Sequence, residues 1–466
     1  MSVPRVVVVG TGVSGLSAAF RVRERLAVAG QPIALTVLEA QAHAGGHAQT
    51  RSGDGFLVEE GPNGFLDRAH EPHARDLARD LGIESSIIEA RPEGKRRFIL
   101  HGGKLRRAPD SPPTLLTSDA LTLAGKLRLL FEPFARPRPE GVDETVFQFA
   151  ERRIGREAAE RLVDAAVSGI SAGDSRALSV ADAFPLMTEM ERDHGSLVRA
   201  MIARRKLPPT RLVAFRGGMR ELVNALRDRL GGDLRTGSRV TGIAPAGEAW
   251  RVAIAGGGTL EADVVVLAQH AWEAAPLLAA LDPALADDLA SFPRAGLALV
   301  AMAFRQADVP RPLDGYGYLV AQARGIETLG VVWESSLFEG RAPAGMVLLR
   351  VMVGGVRHPR VAGLPEAELL AVARAELEPV LGITAAPVRS WIRAFPDAIA
   401  QYTLGHSARV VRARERLERL PGLELSGTSY DGVSFNHAVR SGTLLAERVL
   451  DRITHHPQAN GRGATR

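Results

Sequence analysis

Gly10, Gly12 and Gly15 follow a run of four valines in the spacing G-x-G-x-x-G. Placed between a strand and a helix, this spacing can hold the pyrophosphate of a dinucleotide. Gly10 permits the tight turn, Gly12 lets backbone approach the phosphates, and Gly15 lets the helix pack close to the strand. The helix N-terminus adds free N–H groups and the positive end of its dipole. Glu39 closes a second apolar run and is placed to accept hydrogen bonds from a ribose hydroxyl pair. Nicotinamide and flavin enzymes share this arrangement. What separates them lies downstream. Residues 44–50 read AGGHAQT, with Gly45 and Gly46 ahead of His47; 59–65 read EEGPNGF; 426–433 read SGTSYDGV. Each glycine pair alone is equally an ordinary turn. Taken with a C-terminus that returns to the first domain, they favour FAD.

Composition narrows the chemistry further. The chain has no cysteine, which excludes structural disulfides, thiolate metal sites, a cysteine nucleophile and cysteine-linked flavin or haem. No catalytic triad, metal cluster or acid–base pair stands out. A net charge of +5 suits a solvated basic surface, anionic lipid or an acidic substrate. No aromatic-interleaved basic module supports nucleic acid. Residues 1–5 lead straight into the first strand, so no signal peptide is expected. No apolar run reaches the roughly 20 residues of a spanning helix. A cytoplasmic protein is the expectation.

The scaffold that must position these residues is α/β. A strand at 5–9, a helix at 15–29 and a strand at 33–39 make a βαβ unit. A hairpin turn at 53–56 and a helix at 73–81 follow. Residues 96–100 and 104–107 read as a hairpin, and after Pro109, Pro112 and Pro113 come helical patterns at 115–134, 145–153 and 156–167. The α/β pattern resumes at 211, with a helix to about 230, then strands at 234–243, 250–254 and 260–268. A β-rich stretch covers 296–353, a helix 366–381 and a strand 388–395. A strand at 423–426, a glycine loop and a helix at 441–453 close the chain. This order predicts a Rossmann-like FAD-binding domain from 1–91, 211–290 and 421–454. Inserted in it are a substrate-facing hairpin with a helical, membrane-binding insertion (92–210) and a β-rich substrate-binding domain (291–420), with a flexible tail at 455–466.

Several stretches carry a more specific likeness: KRRFI at 95–99, VSGISAGD at 167–174, FRGGM at 215–219, TLGVVWESSLF at 328–338, VGG at 353–355, QYTLGH at 401–406 and YDGV at 430–433. On these the chain resembles the porphyrinogen-oxidizing branch of the flavin amine-oxidase superfamily, from residue 6 to about 448. The resemblance implies that FAD is held by Gly10, Gly12, Val13, Ser14, Gly15, Glu39 and Ala40, by Gly45, Gly46 and His47, by Gly61, Pro62, Asn63 and Gly64, and by Val240, Gly427, Val433 and Ser434. It implies a six-electron oxidation of a porphyrinogen, protoporphyrinogen IX to protoporphyrin IX in haem biosynthesis, with dioxygen reoxidising the flavin and releasing hydrogen peroxide. The flavin carries the redox chemistry, so no catalytic side chain and no metal is implied.

The same resemblance makes Arg97 the partner of a substrate propionate, for which a planar guanidinium fork is well shaped. It places Gly169 backbone near the substrate and has Leu319, Val332 and Met352 sandwich the macrocycle. From the residues alone, Arg97 has a solvated basic hairpin as its alternative, Gly169 fits a helix C-cap equally well, and the other three fit a core strand better. Coproporphyrinogen III oxidation, a related FAD amine oxidase or desaturase, and a non-catalytic tetrapyrrole-binding protein are the alternatives. Peripheral contact with the inner face of the cell membrane and a homodimer are both left open. The chain also departs from the family pattern. His47 stands where Arg or Lys is usual, Ala400 and Glu339 replace prolines, and Gln269-His270-Ala271 replaces Thr-x-Pro. A histidine can donate to a phosphate but is mostly neutral at pH 7.

Overall fold

The strand Arg5–Val9 lies at the centre of a five-stranded parallel sheet, ordered Leu234–Arg235, Ala34–Leu38, Arg5–Val9, Val264–Leu267, Leu423–Leu425. This computed structural model describes residues 3–139, 141–321 and 325–455. Val6 and Val8 pack with Leu16, Phe20, Leu445 and Val449. Val7 and Val9 leave the opposite face and pack with Ala271, Leu278, Leu285 and Leu289. Both faces are covered, which is why a parallel strand reads as an unbroken valine run. Helices Val13–Val28 and Phe435–His455 cross on the first face. They meet at Gly442, where a Cβ would lie 2.6 Å from Ser14 O and 2.9 Å from Ala18 N.

Two expected strands divide between sheets. Residues 234–243 break at Gly237, whose φ of 64° turns the chain while its amide donates to Gln41 O (2.8 Å). Only Leu234–Arg235 stays in the parallel sheet. Val240–Ala246 starts an antiparallel meander with Ala249–Ile254 and Gly258–Ala262. Residues 260–268 break at Asp263, whose carboxylate accepts from the Arg5 amide (2.8 Å) and guanidinium (2.7 Å). The last helix begins at Phe435 rather than 441, because the Ser434 hydroxyl caps it by accepting from His437 N (3.1 Å). It runs to His455. The rest of the expected tail, 456–466, lies outside the described residues.

A second sheet has seven strands: Arg389–Ala400, Arg294–Arg305, Met346–Gly354, Thr328–Val332, Gly317–Val320, Arg97–His101 and Lys104–Arg107. Its neighbours are antiparallel except Gly317–Val320 beside Arg97–His101. Helix Glu366–Leu381 buries Leu369, Ala373 and Leu377 against one face, among Val300, Met302 and Val351. At the edge, Leu297 pairs with Phe395 but Ala295 with Ile399, so residues 396–398 bulge opposite Gly296 alone. A Cβ on Gly296 would lie 2.3 Å from Pro396 O. Phe65–Asp67, Arg211–Phe215 and Ile87–Glu89 form a small separate sheet.

The helical unit differs from the single apolar stripe expected at 115–134. It consists of helices Pro112–Thr117 and Leu123–Leu130 and a turn at Glu132–Phe134, with the second helix restarted by Thr122, whose hydroxyl accepts from Gly125 N (3.2 Å). Arg153, fully buried, pairs with Glu132, whose carboxylate also accepts from the Ser196 hydroxyl (2.6 Å) and Leu197 N (2.9 Å). The helix at 156–171 outlasts its expected end and includes a π-helical turn, Ala159–Val163. Leu116, Leu123, Leu130, Phe131, Phe134 and Ile202 project into solvent, each more than half exposed. Among the described residues no helix is long and apolar enough to cross a membrane.

Candidate cofactor and substrate site

A single cavity of about 890 Å³ runs from the C-terminal ends of the parallel strands to the open face of the seven-stranded sheet. It is built first by the glycine turn. Gly10 has a φ of 101°, and a Cβ on Gly15 would lie 2.2 Å from Gly10 O, so the helix can start only if residue 15 has no side chain. Nothing lies within 4 Å of a Cβ built on Gly12, which leaves its backbone, Val13 and Ser14 facing the cavity. The helix has no acidic residue in its first turn and no side-chain cap, so its first amides can receive an anion.

Thr11, overlooked in the sequence, is buried and links the pieces. Its hydroxyl donates to Glu39 Oε2, and its amide does so at 3.2 Å, while Thr11 O accepts from Gly45 N (3.0 Å). Glu39 Oε1 accepts from Gln41 N (2.8 Å). The carboxylate is thereby fixed at one end of the cavity, with Ala40 and Val240 beside it. Gly46, at φ 54°, rests on Gly12: a Cβ there would meet Gly12 Cα at 3.2 Å. Gly61 packs on the His47 carbonyl, where a Cβ would lie at 1.8 Å. Gly45, His47, Pro62, Asn63, Gly427, Val433 and Ser434 also line the cavity. Gly15 and Gly64 do not; Gly64 packs on Val213 O and Phe338.

At the far end the surface becomes apolar. Leu297, Leu299, Leu329 and Met352 face Gly169, Ile170 and Ala172 from the end of the helix at 156–171. A Cβ on Gly169 would lie 2.3 Å from Leu319 Cδ2, and one on Gly330 would meet Leu319 and Met352, so these side chains converge. Leu319 and Val332 sit behind the lining, Val332 buried in the core around the parallel sheet. Arg97 also lies outside the lining, exposed and stacked on Tyr316 (5.4 Å), opposite Gly317 in the sheet. No ion pair engages it among the described residues.

Gln401 and Tyr402 hold the two ends. Gln401 Nε2 donates to Ser171 O (2.9 Å), supporting the helix end where Ala172 adopts φ 53°, rare for a residue with a side chain. The Tyr402 hydroxyl donates to Thr428 O (2.8 Å) and accepts from Gly432 N (2.7 Å), bracing the loop that carries Gly427.

Beneath the 61–63 loop lies a buried charge cluster. Arg350 pairs with Glu334 (2.8 Å) and donates to Gly61 O, and Arg341 lies 3.6 Å from Glu59. Burial, opposed by Arg341, pushes the Glu59 carboxyl up to about 7. Burial raises the Tyr316 phenol above the usual range, and the nearby Asn63 side chain opposes that rise. Arg350 had a sequence signal, an arginine inside the apolar strand VLLRVMVG. Tyr316 had none, because its partner is set by the fold. Asn63 Nδ2 and Gln269 Oε1 are buried at the cavity without a partner within the protein. These orphaned groups, the open amides and the cavity's reach fit a dinucleotide.

A family model described as flavin containing amine oxidoreductase matches residues 13–450. The chain belongs to the flavin-containing amine oxidoreductase family. As a member of it, the protein is an oxidoreductase whose cofactor is FAD. Among family relatives, a chloroplastic protoporphyrinogen oxidase of Nicotiana tabacum is 31% identical over 97% of this chain and 86% of its own length. A coproporphyrinogen III oxidase of Bacillus subtilis is 27% identical over 97% of this chain and 98% of its own. A solved structure from Exiguobacterium sp. 255-15, provisionally named a protoporphyrinogen oxidase, superposes with a TM-score of 0.84 at 25% identity, covering 96% of this chain and 99% of that one.

Proposed function

We propose that this FAD-dependent oxidoreductase oxidises a porphyrinogen to the porphyrin, with protoporphyrinogen IX as substrate and dioxygen as the final electron acceptor. The observation that carries the reading is the apolar end of the dinucleotide cavity, where Leu297, Leu299, Leu329 and Met352 face the helix end at Gly169. A flat, largely apolar macrocycle suits such a surface, and the names of the relatives point the same way. Bound flavin supplies the hydride acceptor. The chain binds, orients and excludes water. Glu39 accepts from the ribose, the amides at 12–14 receive the pyrophosphate, and Gly427, Val433 and Ser434 close over the cofactor. Leu319, Val332 and Met352 support the macrocycle, and Arg97, with no ion pair among the described residues, takes a propionate. Segments 1–91, 211–290 and 421–454 act as the FAD-binding unit, with 291–420 and the 97–107 hairpin as the substrate unit.

Coproporphyrinogen III is the second reading. Arg393 lines the cavity with no ion pair among the described residues and suits a substrate with more carboxylates. The deciding experiment presents both porphyrinogens anaerobically to the purified flavoprotein and follows porphyrin fluorescence when air is admitted. The expected result is faster turnover of protoporphyrinogen IX; flavin-loaded protein that yields no porphyrin or peroxide from either substrate overturns the reading. Arg97→Ala is expected to raise KM about tenfold with kcat nearly kept, the cost of one charge-assisted hydrogen bond near the surface. Unchanged kinetics would remove Arg97 from the substrate site. The exposed apolar residues of the helical unit, beside Arg205 and Lys206, suit peripheral contact with an anionic membrane.

A further inference from the structure

We infer that His47 and His270 together grip the pyrophosphate of FAD in their protonated form, so that FAD binding takes up protons and weakens as pH rises. The inference rests on FAD occupying the cavity as assigned above. The two histidines reach the phosphate turn from opposite flanks. His47 follows Gly46, which rests on Gly12. His270 follows Ala268 and Gln269, which pack on Gly10, where a Cβ would lie 3.2 Å from Ala268 C and 3.3 Å from Gln269 N. Both rings line the cavity, with centroids 5.4 Å apart.

Each ring is held by its outer neighbour. Phe395, displayed by the strand bulge, meets His47 edge-on at 4.7 Å. Trp272 stacks on His270 at 4.5 Å and 9°, and the Arg294 guanidinium covers Trp272 at 5.3 Å. Arg294 in turn pairs with Asp397 in the bulge (2.6 Å). Of the arginines lining the cavity, Arg350 is engaged by Glu334 and Arg239 lies beside Val240 at the Glu39 end, while Arg393 has no ion pair among the described residues and stacks on Phe395 (5.4 Å). Arg393 opposes a proton on His47, and the two rings oppose each other. Glu273 favours a proton on His47, and Asp397 favours one on His270.

Burial draws both imidazoles down to about 4, so at neutral pH they are uncharged donors and acceptors. A pyrophosphate diester carries two negative charges, and its arrival makes the imidazolium the favoured form. Linkage then fixes the sign. Between the free-state value and the higher value in the complex, the unliganded protein holds fewer protons than the complex. Affinity therefore falls as pH rises through that window, by up to about tenfold per unit for each proton taken up, and levels off above it.

The test uses the holoenzyme. FAD dissociation is measured by ultrafiltration and flavin fluorescence between about pH 5.5 and 8.5. The expected Kd rises at least about tenfold across this range. His47→Arg carries a fixed charge, so it flattens the profile and tightens binding at the alkaline end; His47→Gln gives weaker binding with a shallower slope, and covers the case that the arginine variant does not fold. His270→Gln also reduces the slope while the flavin spectrum persists. A flat wild-type profile, or variants that keep the wild-type slope, overturns the inference. Protein that carries no flavin at any pH fails the FAD assignment instead.

Discussion

Gln401 and Tyr402 are adjacent in the chain yet serve opposite ends of the cavity. Gln401 reaches the carbonyl of Ser171 at the apolar end, and Tyr402 braces the loop around Gly427. Each substitution should therefore act on one partner. Tyr402→Phe orphans Gly432 N and Thr428 O and is expected to weaken FAD retention several-fold, with KM for the porphyrinogen little changed. Gln401→Leu should raise that KM several-fold while flavin content holds. Flavin titration and steady-state kinetics on the two variants check this, and a common effect on both quantities would contradict the division. Residues at this scale were legible where backbone dictated them: Gly10, Gly12 and Glu39 could be placed from spacing alone. Tyr316 and Thr11 could not, because their partners, Arg97 for the one and Glu39 and Gly45 for the other, are brought to them by the fold. For Arg97, the pattern gave its place on a hairpin, but not its stacking on Tyr316 outside the cavity lining.

At the scale of elements, the contact between helices Val13–Val28 and Phe435–His455 decides how firmly the cofactor turn is held. Gly442→Ala would push a methyl into Ser14 O and Ala18 N, both backbone atoms that cannot swing aside. The expected cost is about 1–3 kcal/mol, with faster FAD loss because the amides at 12–14 move with the helix. Gly232→Ala, where nothing lies within 4 Å, should be neutral by the same denaturation and flavin-release measurements. The two central parallel strands, Arg5–Val9 and Val264–Leu267, were readable from their valine runs, as was the amphipathic helix Glu366–Leu381. The breaks at Gly237 and Asp263 were not, since an apolar run does not announce that its halves join different sheets. Ser434 as the cap of the last helix was hidden in a loop-like sequence. The three-residue strands at 65–67 and 87–89 were too short for any period to register.

At the scale of the whole molecule, the helical unit presents Leu123, Leu130, Phe131 and Phe134 to solvent, and Ile170 at the cavity is exposed as well. Replacing Phe131 and Phe134 with serine should lower co-sedimentation with phosphatidylglycerol vesicles at least about tenfold, as expected for losing two inserted aromatic side chains. Turnover of dissolved substrate should be unaffected. Equal sedimentation of both proteins would count against the membrane contact. The parallel sheet has another consequence, in time rather than space. Gly12 leaves the ribosome first, but Gly427 and the helix that completes the cavity follow more than four hundred residues later. At about 5–20 residues per second, that is a delay of roughly 20–80 s. Throughout it the sheet lacks its edge strand Leu423–Leu425 and the first βαβ unit lacks its covering helix Phe435–His455, so FAD loading must wait until that last segment has been made.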